Sequence, residues 1–258
     1  MLPAFIGGSG VHELSGCGNA VMLDVATPFA EQTTQVFHYR DSAHPCLFLP
    51  RHGSGPRLAP HQINYRANLW ALKQAGATCV IAFNAVGGIS DELQPGTLCL
   101  PDQLIDYTWG RANTFHEPGQ PCSVAEMHPD FTHPFSPELR PDVLAAAQEA
   151  GLELIDGGVY GCTQGPRLET AAEVRRLQRD GCTMIGMTAM PEAILARELA
   201  LPYCSVALVV NRAAGLDSGV LDLAALEEEL QKGVRKLERL VPYLLPRLKR
   251  FSTSSAAA

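Results

Sequence analysis

The chain has 258 residues, 46% hydrophobic and 18% charged, with a formal net charge of −7 at pH 7. That length can bury one sizeable α/β core or two small ones, and the composition excludes a disordered chain. The acidic balance excludes the basic footprint of a nucleic-acid binder, so an anionic ligand needs local donors.

The eight cysteines, Cys17, Cys46, Cys79, Cys99, Cys122, Cys162, Cys182 and Cys204, form no CxxC pair and no metal-finger spacing. Several sit in apolar runs, which predicts buried free thiols in a reducing cytosol. The segment MLPAFIGG is too short and uncharged for a secretory signal, and no apolar run reaches membrane-span length.

In chain order, Leu2–Ile6 reads as a buried strand followed at once by Gly7-Gly8-Ser9-Gly10. Glycines there let the backbone approach a ligand and Ser9 adds a hydroxyl; a plain tight turn is the alternative. The spacing is neither GxGxxG nor a Walker loop. Strand-like runs follow at Ala20–Val25, Gln35–Tyr39 and Cys46–Leu49, the last ending in Arg51-His52-Gly53. Arg51 offers a planar fork of donors suited to phosphate, and His52 adds another; a solvated Arg and a loop His are the alternative, and the better one were this the only anion signal. Pro60-His61 introduces a helix through Gly76, with Ile63, Ala67, Trp70 and Gln74 at helical spacing.

Ala77–Phe83 is a continuous apolar run typical of a strand covered on both faces, and it is expected to terminate in Asn84-Ala85-Val86-Gly87-Gly88. Ligands of α/β sheets collect at such strand ends. Leu98–Ile105 predicts another strand. The region Gly110–Pro137 is irregular, and a connection that long predicts a lid or an arm to a neighbouring subunit. It carries His116, His128 and His133, with no acidic or Cys partner at metal-ligand spacing.

Leu139–Ala150 predicts a helix, then a strand leads into Gly161–Thr170, GCTQGPRLET. Gly165-Pro166 is a turn signal, and Arg167 and Glu169 flank Leu168 beyond it. Opposite charges beside an apolar residue suit a flat, polar, partly apolar ligand; alternatively Glu169 caps the next helix and Arg167 is a solvated charge. Further on, Met187-Thr188 precedes Pro191, which fits the first turn of a helix to about Ala200. Thr188 is then an anion donor or an ordinary N-cap. Ser205–Val210 is another apolar strand that stops at Asn211, whose amide can read a heteroatom edge. An amphipathic helix follows from Asp222 to about Lys249, kinked or segmented by Pro242 and Pro246. Without repeats or linkers, residues 1–251 read as one domain and 252–258 as a disordered tail.

Taken in order, IGGSG, RHG, INYRANLWALK, NAVGG, QGPRLET and GMTAMPEA resemble the trimeric nucleoside phosphorylase family, with its purine nucleoside and methylthioadenosine branches. The resemblance runs from Ile6 to about Leu230 and is nearest to the bacterial methylthioinosine branch. It implies an α/β domain whose central mixed sheet is partly closed into a distorted barrel and flanked by helices. It also implies a homotrimer that uses inorganic phosphate as co-substrate, with no metal or organic cofactor. Carried over, the phosphate site is Ser9, Arg51, His52, the backbone at Ala85, and Thr188. Met187 lies against the ribose, Leu168 packs on the purine where relatives often have Phe, and Glu169 and Asn211 face the base edge. His128 is presented to the 5′ end across a subunit interface.

Adenine-specific relatives carry aspartates around the positions of Asn211 and Ala213. Ionised Asp only accepts hydrogen bonds, whereas Asn211 can donate to a 6-oxo group and accept from a proton at N7. Glu169 can accept from N1–H, which adenine lacks, and such mismatches can discriminate by about 10⁴–10⁵. A 6-oxopurine nucleoside is therefore expected. Val220 and Leu223 fall near positions that shape the 5′ pocket, and an apolar wall suits a methylthio group. The expected reaction is phosphorolysis of S-methyl-5′-thioinosine, with ordinary inosine or guanosine, or methylthioadenosine, as alternatives. A nucleoside-binding protein without catalysis is the reading from another class.

Overall fold

The structure is a computed structural model describing residues 2–14, 16–40, 42–55, 57–119, 122–217 and 223–252. The chain runs through β1 (Leu2–Gly7), β2 (Val21–Val25), β3 (Thr34–Tyr39), β4 (Cys46–Pro50), α1 (Tyr65–Gln74) and β5 (Ala77–Gly88). Next come β6 (Leu98–Leu100), β7 (Gln103–Asp106), α2 (Val124–Met127), α3 (Arg140–Glu149), β8 (Leu154–Asp156) and β9 (Val159–Cys162). The last are α4 (Ala171–Arg179), β10 (Met184–Gly186), α5 (Ala189–Glu198), β11 (Tyr203–Arg212) and α6 (Leu223–Leu248).

Alternation along the central strands builds two cores, one on each face of a single sheet. Ala4, Ile6, Leu47, Leu49, Val80 and Ala82 join one apolar cluster with residues of α1 and α5. Phe5, Phe48, Ile81 and Phe83 point the other way, into a cluster with α3 and α6. Strands covered on both faces in this way read as near-continuous apolar runs, which is why β1, β4, β5 and β11 were visible in sequence.

The sheet is mixed. β5 pairs in parallel with β1 and β11 and antiparallel with β10, and β1 pairs in parallel with β4. One path through it runs β2-β3-β4-β1-β5-β10-β9-β7, while β11 branches from β5 and carries β6 and β8. The sheet thus curls and branches around β5, consistent with a partial barrel, without closing.

Four expectations change. The helix expected from Pro60 is a 3₁₀ turn, Pro60–Gln62, and a separate α1, because Asn64 leaves the helical region and its side chain accepts from the amide of Ala67 at 3.0 Å. β5 does not terminate at Asn84 but continues to Gly88, with Gly87 and Gly88 in register with β10 and β11. The run Leu98–Ile105 splits at Pro101 and Asp102, and its halves pair with different strands. Finally, α6 is one helix containing both Pro242 and Pro246, which lie on its exposed side, where water can satisfy the carbonyls a proline leaves. The irregular 110–137 region is as expected, apart from α2, where Ser123 and Glu126 form a reciprocal capping box. No helix among the described residues is long and apolar enough to cross a membrane.

Candidate functional site

Strand ends of the branched sheet surround one cavity of about 870 Å³. β1 and β4 bring Ser9, Arg51 and His52 to it; the second half of β5 supplies Ala85; β9 and β10 lead into Leu168, Glu169, Met187 and Thr188; and β11 ends with Asn211 and Ala213 beyond. Ten of the residues singled out in the sequence therefore share one wall-to-wall space. His128 does not: it is exposed at the C-terminal end of α2 and does not line the cavity. Val220 and the side chain of Leu223 lie outside the described residues.

At one end the donors are rigidly held. Arg51 is 1% exposed, and Glu192 takes it bidentately, with Nε at 2.7 Å and Nη2 at 2.9 Å from the two carboxylate oxygens. Its Nη1 donates to the carbonyl of Phe83 at 2.8 Å, and Tyr203 donates its hydroxyl to Glu192 at 2.8 Å. Burial opposes the guanidinium charge, but Glu192 more than offsets this, so the pKa of Arg51 stands above its ordinary value. The packing leaves no room behind: a Cβ on Gly8 would stand 2.5 Å from the Phe83 carbonyl oxygen and 2.7 Å from Arg51 Nη1. Glycine at that position is a close-approach requirement.

His52, expected as a further donor, is held through one of its two ring nitrogens. Its Nδ1 lies 2.8 Å from the Leu58 carbonyl oxygen, an acceptor, so the proton sits on Nδ1 and the neutral ring keeps Nε2 as an acceptor. Burial pushes the ring pKa down to about 4, against the opposing effect of the Leu58 bond and with Arg51 and Arg57 adding to the depression.

Thr188 occupies the N-cap position of α5, yet its side chain makes no capping bond. Instead, buried Ser205 donates to Asn84 Oδ1 at 2.8 Å, and Asn84 Nδ2 donates to Thr188 Oγ1 at 2.8 Å. A hydroxyl that accepts from an amide keeps its own proton for another acceptor. The chain of bonds thus leaves Thr188 as a donor at the cavity wall.

At the other end, Thr163 donates to Glu169 Oε1 at 2.6 Å, so the remaining carboxylate oxygen can accept from a ligand. The capping role considered for Glu169 belongs to Thr170, whose hydroxyl accepts from Glu173, while Glu173 returns the bond. Arg167 is exposed and paired with Glu173, with Nη2 at 2.7 Å, and does not line the cavity. Leu168 lies on the cavity rim, 48% exposed. β11 carries a bulge between Val209 and Asn211, and a bulge re-aims side chains. The Asn211 amide turns to the carbonyl of Arg212, at 2.6 Å.

Sequence reasoning passed over several residues. Asn84 and Glu192 sat inside recognised motifs, but only the fold shows that they hold Thr188 and Arg51. Arg111 donates to the carbonyls of Met187 and Gln164, each at 2.8 Å, fastening the start of the long irregular region to two cavity-lining segments. Arg57 lines the cavity and donates to Ser9. Among the described residues no three potential metal ligands cluster, and all eight cysteines are free thiols, seven of them buried.

Side-chain donors at one end and a carboxylate and an amide at the other thus share one cavity at the strand ends of a branched mixed sheet in an α/β protein. Residues 4–246 match the family model of the phosphorylase superfamily, and the chain belongs to that superfamily. It is 46% identical over 243 residues to the probable S-methyl-5′-thioinosine phosphorylase of Pseudomonas syringae pv. tomato, covering 94% of this chain and 97% of that one. It is 41% identical over 247 residues to the 6-oxopurine nucleoside phosphorylase of Pyrococcus furiosus, covering 94% and 91%. Among solved structures, methylthioadenosine phosphorylase from Schistosoma mansoni in complex with adenine superposes with a TM-score of 0.88 at 28% identity, covering 97% and 94%.

Proposed function

We propose that the chain is a pentosyltransferase of purine salvage: it cleaves the N-glycosidic bond of a 6-oxopurine nucleoside with orthophosphate. The preferred substrate is S-methyl-5′-thioinosine, giving hypoxanthine and 5-methylthioribose 1-phosphate. The observation that carries this reading is the single cavity with Ser9, Arg51, His52, Ala85 and Thr188 at one end and Leu168, Glu169 and Asn211 at the other.

In this reading phosphate attacks C1′ while the bond to N9 breaks and its electron pair moves into the base. The bound anion stabilises the oxocarbenium character of the sugar, and Met187 covers the ribose. Asn211 donates to O6 as charge develops on the purine and accepts from N7–H once N7 takes up, through water, the proton that phosphate gives up on bonding to C1′, and the free Glu169 oxygen accepts from N1–H; preorganised groups of this kind stabilise charge selectively in the transition state. Leu168 packs on the base, and Ala213 leaves room where an acidic residue would favour adenine. Pro95, Ala225 and Leu226 give the cavity a largely apolar flank that suits a methylthio group, with Val220 and Leu223 assigned to the same 5′ region. Phosphate is a co-substrate, and no metal or organic cofactor takes part.

Trp109, just before the irregular region, and Val124 and Met127, within it beside His128, expose 73%, 78% and 54% of their surfaces. We assign that face to the contact of a homotrimer in which His128 reaches a neighbour's 5′ site, and the buried free thiols to a cytoplasmic protein; sedimentation at a single-chain mass would overturn the trimer.

The functional test is base release from methylthioinosine, inosine and methylthioadenosine, with and without phosphate. Phosphate-dependent hypoxanthine release, fastest from methylthioinosine, is expected. Faster release from inosine would favour a general 6-oxopurine enzyme, as the Pyrococcus relative is named. Rapid adenine release would overturn the base assignment, and no release would favour a binding protein.

A further inference from the structure

The anion end of the cavity is nearly neutral as built. Arg51 is matched by Glu192 in a buried ion pair. Leu58 takes the Nδ1 proton of His52, and burial holds that ring neutral above about pH 4. Ser9 and Thr188 contribute hydroxyls without charge. Elsewhere on the lining, Arg212 pairs with Asp91 at 3.3 Å, and Glu169, Asp217 and Glu229 add negative charge, within a chain of net charge −7. Phosphate near neutral pH carries between one and two negative charges, with a second pKa of about 6 for related phosphate groups. Bringing it into so balanced a pocket requires a cation that no carboxylate already holds.

Arg57 is that cation. It lines the cavity, and among the described residues no carboxylate pairs with it. Its Nη2 donates to the Ser9 hydroxyl, the same group assigned to phosphate. Two bonds between His52 and Leu58 hold it there: the Leu58 amide donates to the His52 carbonyl at 3.1 Å, and the His52 ring donates to the Leu58 carbonyl at 2.8 Å. These tie the backbone on either side of Arg57 to the end of β4, and from there its side chain reaches Ser9. Arg57 also borders a second recess of about 280 Å³, and its side chain is exposed. A free guanidinium is tolerated there because it stays hydrated, whereas burying it unpaired would be costly.

We propose that Arg57 is a phosphate ligand, supplying from the outer loop the positive charge that the buried set lacks. In this arrangement Arg51 and Thr188 give the anion its position, and Arg57 gives it its counter-charge, releasing Ser9 to bond the same oxygens. The inference rests on the phosphorolytic reading of the cavity. It differs from the motif-derived set because Arg57 lies outside RHG and every other motif quoted above.

The test is Arg57→Gln beside Arg57→Lys, read as separate KM values for phosphate and nucleoside and as phosphate binding by calorimetry without nucleoside. A charge-assisted bond predicts a phosphate KM raised about 10- to 100-fold in Arg57→Gln, with partial recovery in Arg57→Lys. The nucleoside KM is expected to stay within about twofold and the melting temperature to stay at the wild-type value, because the side chain is exposed. The phosphate KM of the wild type should also rise more steeply with added KCl than that of Arg57→Gln. A phosphate KM and Kd in Arg57→Gln within about twofold of wild type would overturn the proposal. Calorimetry separates the two readings: if the wild type releases no base but binds phosphate, weaker binding by Arg57→Gln still supports Arg57, and equal binding, or none by the wild type, overturns it.

Discussion

Glu192 holds Arg51 with both carboxylate oxygens across 141 residues of sequence, and both side chains are essentially inaccessible. The orientation of the guanidinium is therefore set before any ligand arrives. Replacing Glu192 with Ala would leave a buried unpaired charge, a loss of about 3–5 kcal/mol. The expected result is a melting temperature at least about 6 °C lower, with a smaller drop for Glu192→Gln, which keeps the shape and one acceptor. Equal stability of Glu192→Ala and wild type would mean that water or another group reaches Arg51.

Asn84 orients the Thr188 hydroxyl rather than filling space, and the two roles separate kinetically. In Asn84→Asp the new carboxylate captures the Thr188 proton and adds negative charge near the anion. Phosphate KM should rise about tenfold or more, with a smaller effect on nucleoside KM. A proportional rise in both would point to general disorder of the pocket.

Asn211→Asp tests the base edge. It removes the donor assigned to O6, so kcat on inosine-type substrates should fall by about 10²–10³. An unchanged rate would remove Asn211 from the mechanism.

The half-buried neutral His52 gives stability a pH dependence with a definite sign. The unfolded ring takes a proton below its ordinary pKa of 6.5, whereas the folded ring resists protonation until about 4. Between those values the unfolded state binds more protons, so this group makes stability fall as pH falls from about 6.5 to about 4 and adds no further loss below. Melting temperatures of His52→Asn should decline less steeply across that window than those of wild type; parallel slopes would show that the ring is not protected.

What was legible in the sequence follows a physical pattern. Glycine-rich or donor-bearing segments directly after apolar runs, as at Ser9 and Arg51, could be placed at strand ends because the runs themselves reported two-sided burial. Gly87 and Gly88 read as residues beyond the strand, whereas they are its last two residues and still pair with β10 and β11. A Cβ on Gly88 would stand 1.9 Å from the Leu93 carbonyl oxygen, and one on Gly87 3.1 Å from Ile185, so both are small because neighbours press on the strand. Pairings such as Arg51 with Glu192 leave no local pattern, since they depend on sheet order. Arg111 likewise acts on backbone carbonyls, which carry no residue-type signal at all.

The continuation of β5 past Asn84 has one more consequence. Asn84, which holds Thr188, and Gly87, in register with Asn211, are three positions apart on one strand, both paired with β11, and Gly87 also with β10. In the proposed binding mode, phosphate anchor and base edge are thus graduations on a single ruler, and a one-residue slip would displace both. The flank formed by Pro95, Ala225 and Leu226 lies off that ruler. If that flank holds the 5′ substituent as proposed, a change of substituent is met at the soft end of the measure, without recalibrating the distance over which the bond is broken.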